Sequence, residues 1–80
     1  MSPQQDVTPR VGLVFSKVFG KRVPFATDLS RLSEPQWTSL KHVEFIIGLE
    51  QEFDVRFDGA DATDMTSIPV VIERVRNKLS

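Results

Sequence analysis

The chain has 80 residues, of which 40% are hydrophobic, with a formal net charge of −1 and no cysteine. This length predicts one small globular domain over residues 1–80. Without cysteine, and with His42 as the single histidine, we expect neither a disulfide nor a metal centre. The charge argues against nucleic acid, and no apolar run is long enough to span a membrane. We expect a cytoplasmic monomer.

The N-terminal part predicts one helix after a short tail. Residues 1–7 are mostly polar and are expected to be disordered. Thr8 and Pro9 suit a helix start, with the hydroxyl as cap and proline in the first turn. Gly20 is typical of a helix end, so we predict the first helix over about residues 9–19. Its hydrophobic residues at helical spacing are Val11, Val14, Phe15 and Val18.

Residues 20–37 show no sustained period and predict a long loop, which in a compact domain is often functional. Ser33 and Gln36 have the spacing of a short turn. The hydrophobic residues of this loop are expected to pack on the helices; they are Val23, Phe25, Leu29, Leu32 and Trp37.

Residues 38–53 predict the main helix, with a narrow polar stripe and a broad hydrophobic arc. An arc of that width suggests contacts on more than one side, with Leu40, Val43 and Ile46 in the core or along a ligand pocket. Gly48 costs about 1 kcal/mol relative to alanine in a helix. It indicates close packing of the long loop or close approach of a partner.

The C-terminal third predicts a short helix followed by a longer one. Asp58-Gly59 is a turn signal, and residues 60–65 suit one or two helical turns. Thr66 or Ser67 is expected to cap the last helix, with Pro69 in its first turn. The hydrophobic stripe of that helix is Ile68, Val71, Ile72, Val75 and Leu79.

Three groups of residues are candidate chemical sites. Ser39 most simply caps the main helix, but a serine at a helix N-terminus also suits a phosphate ester. His42 is three residues further on, yet no orienting acid or oxyanion hole accompanies the pair, so we expect a partly exposed histidine rather than a hydrolase. Four aspartates do not match a calcium loop and are expected to be caps and solvated turns; they are Asp54, Asp58, Asp61 and Asp64.

The run from Trp37 to Phe53 resembles the second helix of acyl carrier proteins. That family typically has Asp-Ser-Leu at the helix start and a Leu-Glu-x-Glu-Phe ending, here Thr38-Ser39-Leu40 and residues 49–53. A tryptophan just before the serine motif is common in its small free-standing members. Val18-Phe19-Gly20 and the region from Val55 to Leu79 also fit, so the resemblance covers nearly the whole chain.

The resemblance implies an all-α fold, a four-helix acyl-carrier-type bundle with three main helices, one short helix and a long first loop. It implies that Ser39 receives 4′-phosphopantetheine from coenzyme A and carries acyl groups as thioesters, with no catalysis by the chain itself. The implied partners are a phosphopantetheinyl transferase and the acyl-loading and acyl-processing enzymes of a fatty-acid, polyketide or related pathway. The implied docking positions are Thr38, Leu40, Lys41 and Glu44. The resemblance also implies that the apolar faces of the second and fourth helices would line any space for an acyl chain.

Two positions depart from the family pattern. Thr38 stands where the family usually has aspartate, and Lys41 stands where many relatives are acidic. The face around Ser39 is therefore less negative than usual, which should alter partner choice. The alternative function is that of an unmodified carrier fold acting as a protein-interaction module.

Overall fold

A computed structural model describes residues 6–80, which form four helices and a long first loop. The predicted all-α arrangement of three main helices and one short helix is confirmed. Among the described residues, no helix has both the length and the hydrophobicity needed to cross a membrane. The helices are α1 (Thr8–Phe19), α2 (Ser39–Phe53), α3 (Gly59–Asp64) and α4 (Ile68–Leu79).

The start of α1 differs from the prediction. Val7 is the N-cap, and its side chain is buried in the core at 1% exposure. The Thr8 N–H donates to Asp6 Oδ1 at 3.0 Å, so the aspartate serves the helix start instead of the Thr8 hydroxyl. This hydrogen bond also lowers the pKa of Asp6. Val7 thus belongs to the core, and positions 1–5 of the tail that was expected to be disordered lie outside the described residues.

An aromatic cluster forms the centre of the core. Phe15 of α1 lies edge-on to Phe45 of α2, with ring centroids 5.5 Å apart and planes at 88°. Phe19 stacks on Phe15 at 4.1 Å. Trp37, at the end of the loop, meets Phe15, Phe19 and Phe45 at 5.8–6.1 Å. Such pairs contribute about 0.5–1.5 kcal/mol each beyond the burial of their area. The cluster therefore joins the loop to α1 and α2.

Most of the long loop packs as predicted, with two exceptions. Val23 is buried and Phe25 and Leu29 are partly buried against the core, but Leu32 is 101% exposed. The turn predicted near Ser33 and Gln36 forms at Pro35-Gln36, where the Trp37 N–H donates to Glu34 O at 3.0 Å, but the Ser33 side chain does not cap it. Ser33 instead bonds back to Ser30, and the Gln36 N–H donates to the Glu34 carboxylate at 2.8 Å.

The loop is also fixed to the start of α4 by backbone hydrogen bonds. The Arg31 N–H donates to Thr66 O and the Ile68 N–H to Leu29 O, both at 2.9 Å. Ser67 is the N-cap of α4, as one of the two predicted positions, but its hydroxyl makes no capping bond. The loop carbonyl thus satisfies one of the free N–H groups that a helix start leaves.

Helix α2 contacts the core on one side only. Phe45, Ile46, Leu49 and Phe53 are buried there. Leu40 and Val43, which were expected in the core or along a ligand pocket, are not in the core, because they are 68% and 54% exposed. Ile46 is buried as predicted, and Val71 and Val75 of the α4 stripe are buried as well. The broad hydrophobic arc therefore consists of a core face and a separate solvent-exposed face.

Gly48 permits close contact between α1 and α2. The sequence had instead suggested close contact with the long loop or with a partner. A Cβ atom built on Gly48 would lie 2.8 Å from Val14 Cγ1. Real Cβ atoms essentially never approach that closely. The glycine is therefore explained by helix–helix packing inside the chain.

Asp54 and Asp58 lie at helix ends, as expected, whereas Asp61 and Asp64 form ion pairs that the sequence did not predict. Asp54 ends α2 in the left-handed conformation with φ 54°, and Asp58 caps α3 in a capping box with Asp61. Arg74 of α4 binds Asp61 and Asp64, each at 2.9 Å. Lys78 lies 3.2 Å from Asp61. These ion pairs hold the short helix α3 against α4.

We expect Gly48→Ala to destabilise the chain although alanine favours helices. The propensity gain is about 1 kcal/mol, whereas crowding a packed interface typically costs about 1–3 kcal/mol. Gly59→Ala is the matched control, because it is also helical and nothing lies within 4 Å of its Cβ position. Urea denaturation should show a lower free energy of unfolding for Gly48→Ala but not for Gly59→Ala. When Val14 is already alanine, Gly48→Ala should lower the free energy of unfolding by less than it does in the wild type. A Gly48→Ala variant more stable than the wild type would contradict the proposed contact.

We expect Asp61→Asn to flatten the acid limb of the stability curve. The hydrogen bond from Lys78, with help from Asp58 N–H and Arg74, holds the pKa of Asp61 below its usual 3.8. A depressed folded-state pKa gives stability that is present at neutral pH and is lost as pH falls through that pKa. The variant should be less stable at pH 7 and lose less between about pH 5 and pH 2. Asp28→Asn, at an exposed loop position, should follow the wild-type curve.

Candidate functional site

Ser39 is the first residue of α2 and is exposed. Thr38 is the N-cap, and its hydroxyl accepts the Lys41 N–H at 3.2 Å. The interpretation of Ser39 as the cap is therefore wrong. Since the neighbouring threonine satisfies the helix start, the Ser39 hydroxyl is not needed for that purpose. It stands beside free N–H groups at the positive end of the helix dipole, where added negative charge is favoured.

The Arg31 side chain reaches Ser39 from the long loop. Its Nη2 lies 3.3 Å from Ser39 Oγ, and its Nε donates to Trp37 O at 3.4 Å. This contact was not predicted from the sequence, because an arginine eight positions upstream in an irregular loop has no local pattern that links it to Ser39. The only signal was that a long loop precedes the serine.

His42 is buried at 8% exposure, so the prediction of a partly exposed residue is wrong. Trp37 Nε1–H donates to His42 Nδ1 at 3.0 Å, and His42 Nε2 lies 2.7 Å from Ala62 O. Because the indole can only donate, Nδ1 is the acceptor and Nε2 carries the proton that is donated to Ala62. Both ring nitrogens are thus occupied, and neither is available as a base for Ser39. The imidazole instead links the loop, α2 and α3.

The expected docking residues divide into two groups. Leu40 is exposed and begins an exposed stripe, defined here as Leu40, Val43 and Ile47, which runs along α2 next to Ser39. Lys41 is turned towards α1, where its Nζ donates to Val18 O at 2.9 Å and lies 3.6 Å from Glu44 Oε1. A lysine is favourable at the C-terminal end of a helix. The Lys41 charge is therefore largely engaged within the bundle.

An open groove of about 320 Å³ lies between α1 and α2. Its lining combines Val14 and Val18 with polar and charged side chains such as Gln51 and Glu52. The space for an acyl chain was expected between the apolar faces of α2 and α4 and stays a prediction. The α1–α2 groove, with its charged rim, is a different feature.

No family model matches the sequence, and no curated protein matches it. Among solved structures, a solution structure of the holo acyl carrier protein from Geobacter metallireducens matches with a TM-score of 0.81. The match covers 94% of this chain and 87% of that chain at 20% sequence identity. It confirms the acyl-carrier fold that the resemblance predicted.

Proposed function

We propose that this chain is a carrier protein that holds acyl groups as thioesters on a 4′-phosphopantetheine arm attached to Ser39. The observation that carries the proposal is an exposed serine hydroxyl at the first position of α2, within a fold that matches a holo acyl carrier protein. Thr38 caps α2, so the Ser39 hydroxyl is not needed as a helix cap. The hydroxyl is therefore accessible to an enzyme that transfers the arm.

The residues around Ser39 fit a phosphate diester. The first N–H groups of α2 and the Arg31 guanidinium both favour negative charge at this position. In the attachment, Ser39 Oγ forms a bond to phosphorus as the nucleotide half of coenzyme A leaves with the other phosphate. The hydroxyl proton passes to a base on the transferase, since His42 has no free nitrogen. The bound arm supplies the thiol that this cysteine-free chain lacks.

The exposed stripe supports docking of partner enzymes beside the arm. Leu40, Val43 and Ile47 are 68%, 54% and 47% exposed, so they offer hydrophobic contacts without rearrangement of the core. Thr38 and Glu44 flank the stripe, and Lys41 is held back by α1. The partners we propose are a phosphopantetheinyl transferase and the acyl-loading and acyl-processing enzymes of a fatty-acid, polyketide or related pathway. We propose that residues 1–80 act as one carrier domain in the cytoplasm.

A second candidate function is that of an unmodified interaction module. The first turn of α2 contains no acidic residue, whereas the family commonly presents an aspartate next to its serine. A transferase that reads this charge would bind the chain weakly. In that case the exposed stripe would be the functional surface, and Ser39 would stay free.

We expect Ser39 to be the single attachment site. Incubation with coenzyme A and a broad-specificity transferase should add the mass of one phosphopantetheine to the intact chain. Ser39→Ala should show no gain, and Ser33→Ala, which changes an exposed serine of the loop, should be modified like the wild type. An unmodified wild type, or the same gain on Ser39→Ala, would contradict the proposed function.

We expect Thr38→Asp to speed modification while leaving stability almost unchanged. Aspartate and threonine both cap helices, so the free energy of unfolding should move by less than about 0.5 kcal/mol. The added charge should act on encounter with the transferase, which charge complementarity accelerates. Time courses by mass spectrometry measure the rate.

Thr38→Asn is the matched control, because it keeps a capping oxygen without the charge. If Thr38→Asn is modified as fast as Thr38→Asp, the charge is not the cause. If none of the three chains is modified by any transferase, the unmodified interaction module becomes the better explanation.

A further inference from the structure

Arg31 is the one described cation whose contacts converge on the Ser39 hydroxyl. We infer that Arg31 is a positioning residue that binds the phosphate diester at Ser39 and holds the first part of the arm against the long loop. This inference rests on the proposed function, and the geometry of the loop is its main support.

Hydrogen bonds to the start of α4 fix the backbone at Arg31. Its N–H donates to Thr66 O at 2.9 Å, and the adjacent Ser30 forms an antiparallel bridge with Ser67. Arg31 therefore starts from a defined point near the beginning of α4. Only the side-chain torsions need to be ordered when the guanidinium binds a ligand, which reduces the entropic cost of binding.

The Arg31 guanidinium makes only long hydrogen bonds and no salt bridge among the described residues of the unmodified chain. Its two contacts, to Ser39 Oγ at 3.3 Å and to Trp37 O at 3.4 Å, are long and involve neutral acceptors. Arginine has five N–H donors, and among residues 6–80 the salt bridges involve Arg10, Lys41, Arg74 and Lys78 but not Arg31. The side chain thus retains both free donors and an uncompensated charge next to the hydroxyl.

Attachment of the arm puts an anion where Arg31 can use it. The phosphorus is bonded directly to Ser39 Oγ, so its two non-bridging oxygens lie within reach of a group already 3.3 Å from that atom. A planar guanidinium binds such oxygens through two parallel hydrogen bonds, which are shorter and stronger than bonds to neutral acceptors. Modification should therefore tighten the contact between the loop and α2.

The rival explanation is that Arg31 only supports the Trp37 carbonyl. A purely structural role would change apo and holo proteins equally, so the test compares the two forms. Wild type, Arg31→Gln and Arg31→Lys are converted to the holo form and melted beside their apo forms. Arg22→Gln is the control, because it removes the same charge from an exposed position in the same loop.

We expect the wild type and Arg22→Gln to melt a few degrees higher in the holo form than in the apo form. Arg31→Gln should lose that difference, and Arg31→Lys should keep part of it, because lysine retains the charge but not the paired donors. An equal apo-to-holo difference in all four chains would overturn the inference.

A second experiment does not depend on a transferase. The 80-residue chain can be synthesised with phosphoserine at position 39, a monoester whose second pKa is about 6. A neighbouring guanidinium favours the dianion, so phosphorus NMR should give a pKa lower by about 0.5 or more in wild type than in Arg31→Gln. The synthetic Arg22→Gln chain should match the wild type. Equal values in wild type and Arg31→Gln would overturn the inference.

The two experiments separate the two proposals. If enzymatic loading fails but the phosphoserine pKa depends on Arg31, the carrier function is wrong and the arginine–phosphate contact stands. If loading succeeds but neither melting nor the phosphate pKa responds to Arg31, the carrier function stands and the positioning role is wrong.

Discussion

The packing of the Trp37 indole is the interaction on which the geometry around Ser39 depends. Its rings meet Phe15 and Phe19 of α1 and Phe45 of α2, and its N–H donates to His42. His42 passes the connection on to Ala62 of α3. One residue at the end of an irregular loop therefore contacts two helices directly and a third through a buried imidazole. Loss of either hydrogen-bonding partner would leave a buried polar group unsatisfied, which typically costs about 1–3 kcal/mol.

This arrangement explains how an exposed serine is held in a defined position on so small a domain. Trp37 fixes the chain two residues before Ser39, and the Thr38 cap then starts α2. On the other side, backbone hydrogen bonds tie residues 29–31 to the start of α4, which places the Arg31 guanidinium near the same hydroxyl. A flexible loop would spread both groups over many positions. The long loop is thus compatible with precise placement because it is fixed to the rest of the chain in its middle, at residues 29–31, and again at Trp37.

Local signals in the sequence predicted the helices, whereas contacts between distant residues decided the site. Pro9, Gly20 and the Asp58-Gly59 turn signal act through neighbours within one turn, so the element bounds could be predicted to within about two residues. The burial of His42 depends on Trp37 and on Ala62, twenty positions away, and the need for Gly48 depends on Val14 of another helix. No helical period contains that information.

Hydrophobic periodicity does not separate the buried from the exposed hydrophobic residues of α2. It groups Leu40 and Val43 with Phe45 and Leu49, because all are apolar and lie on one broad arc of α2. In the structure the first two face solvent and the last two are fully buried. A hydrophobic face that covers the core and one that faces solvent have the same composition. Only the packing of the neighbouring helices separates them.

The aromatic composition of the chain gives the seating of the loop a spectroscopic consequence. Trp37 is the only tryptophan and there is no tyrosine, so near-ultraviolet fluorescence excited at long wavelength comes from this one indole. In the folded chain the indole is 2% exposed and hydrogen-bonded to the His42 imidazole. If the loop separated from the helices, the indole would become exposed and lose this hydrogen bond. The emission of the unlabelled protein therefore reports on the packing of the loop against α1 and α2 beside Ser39.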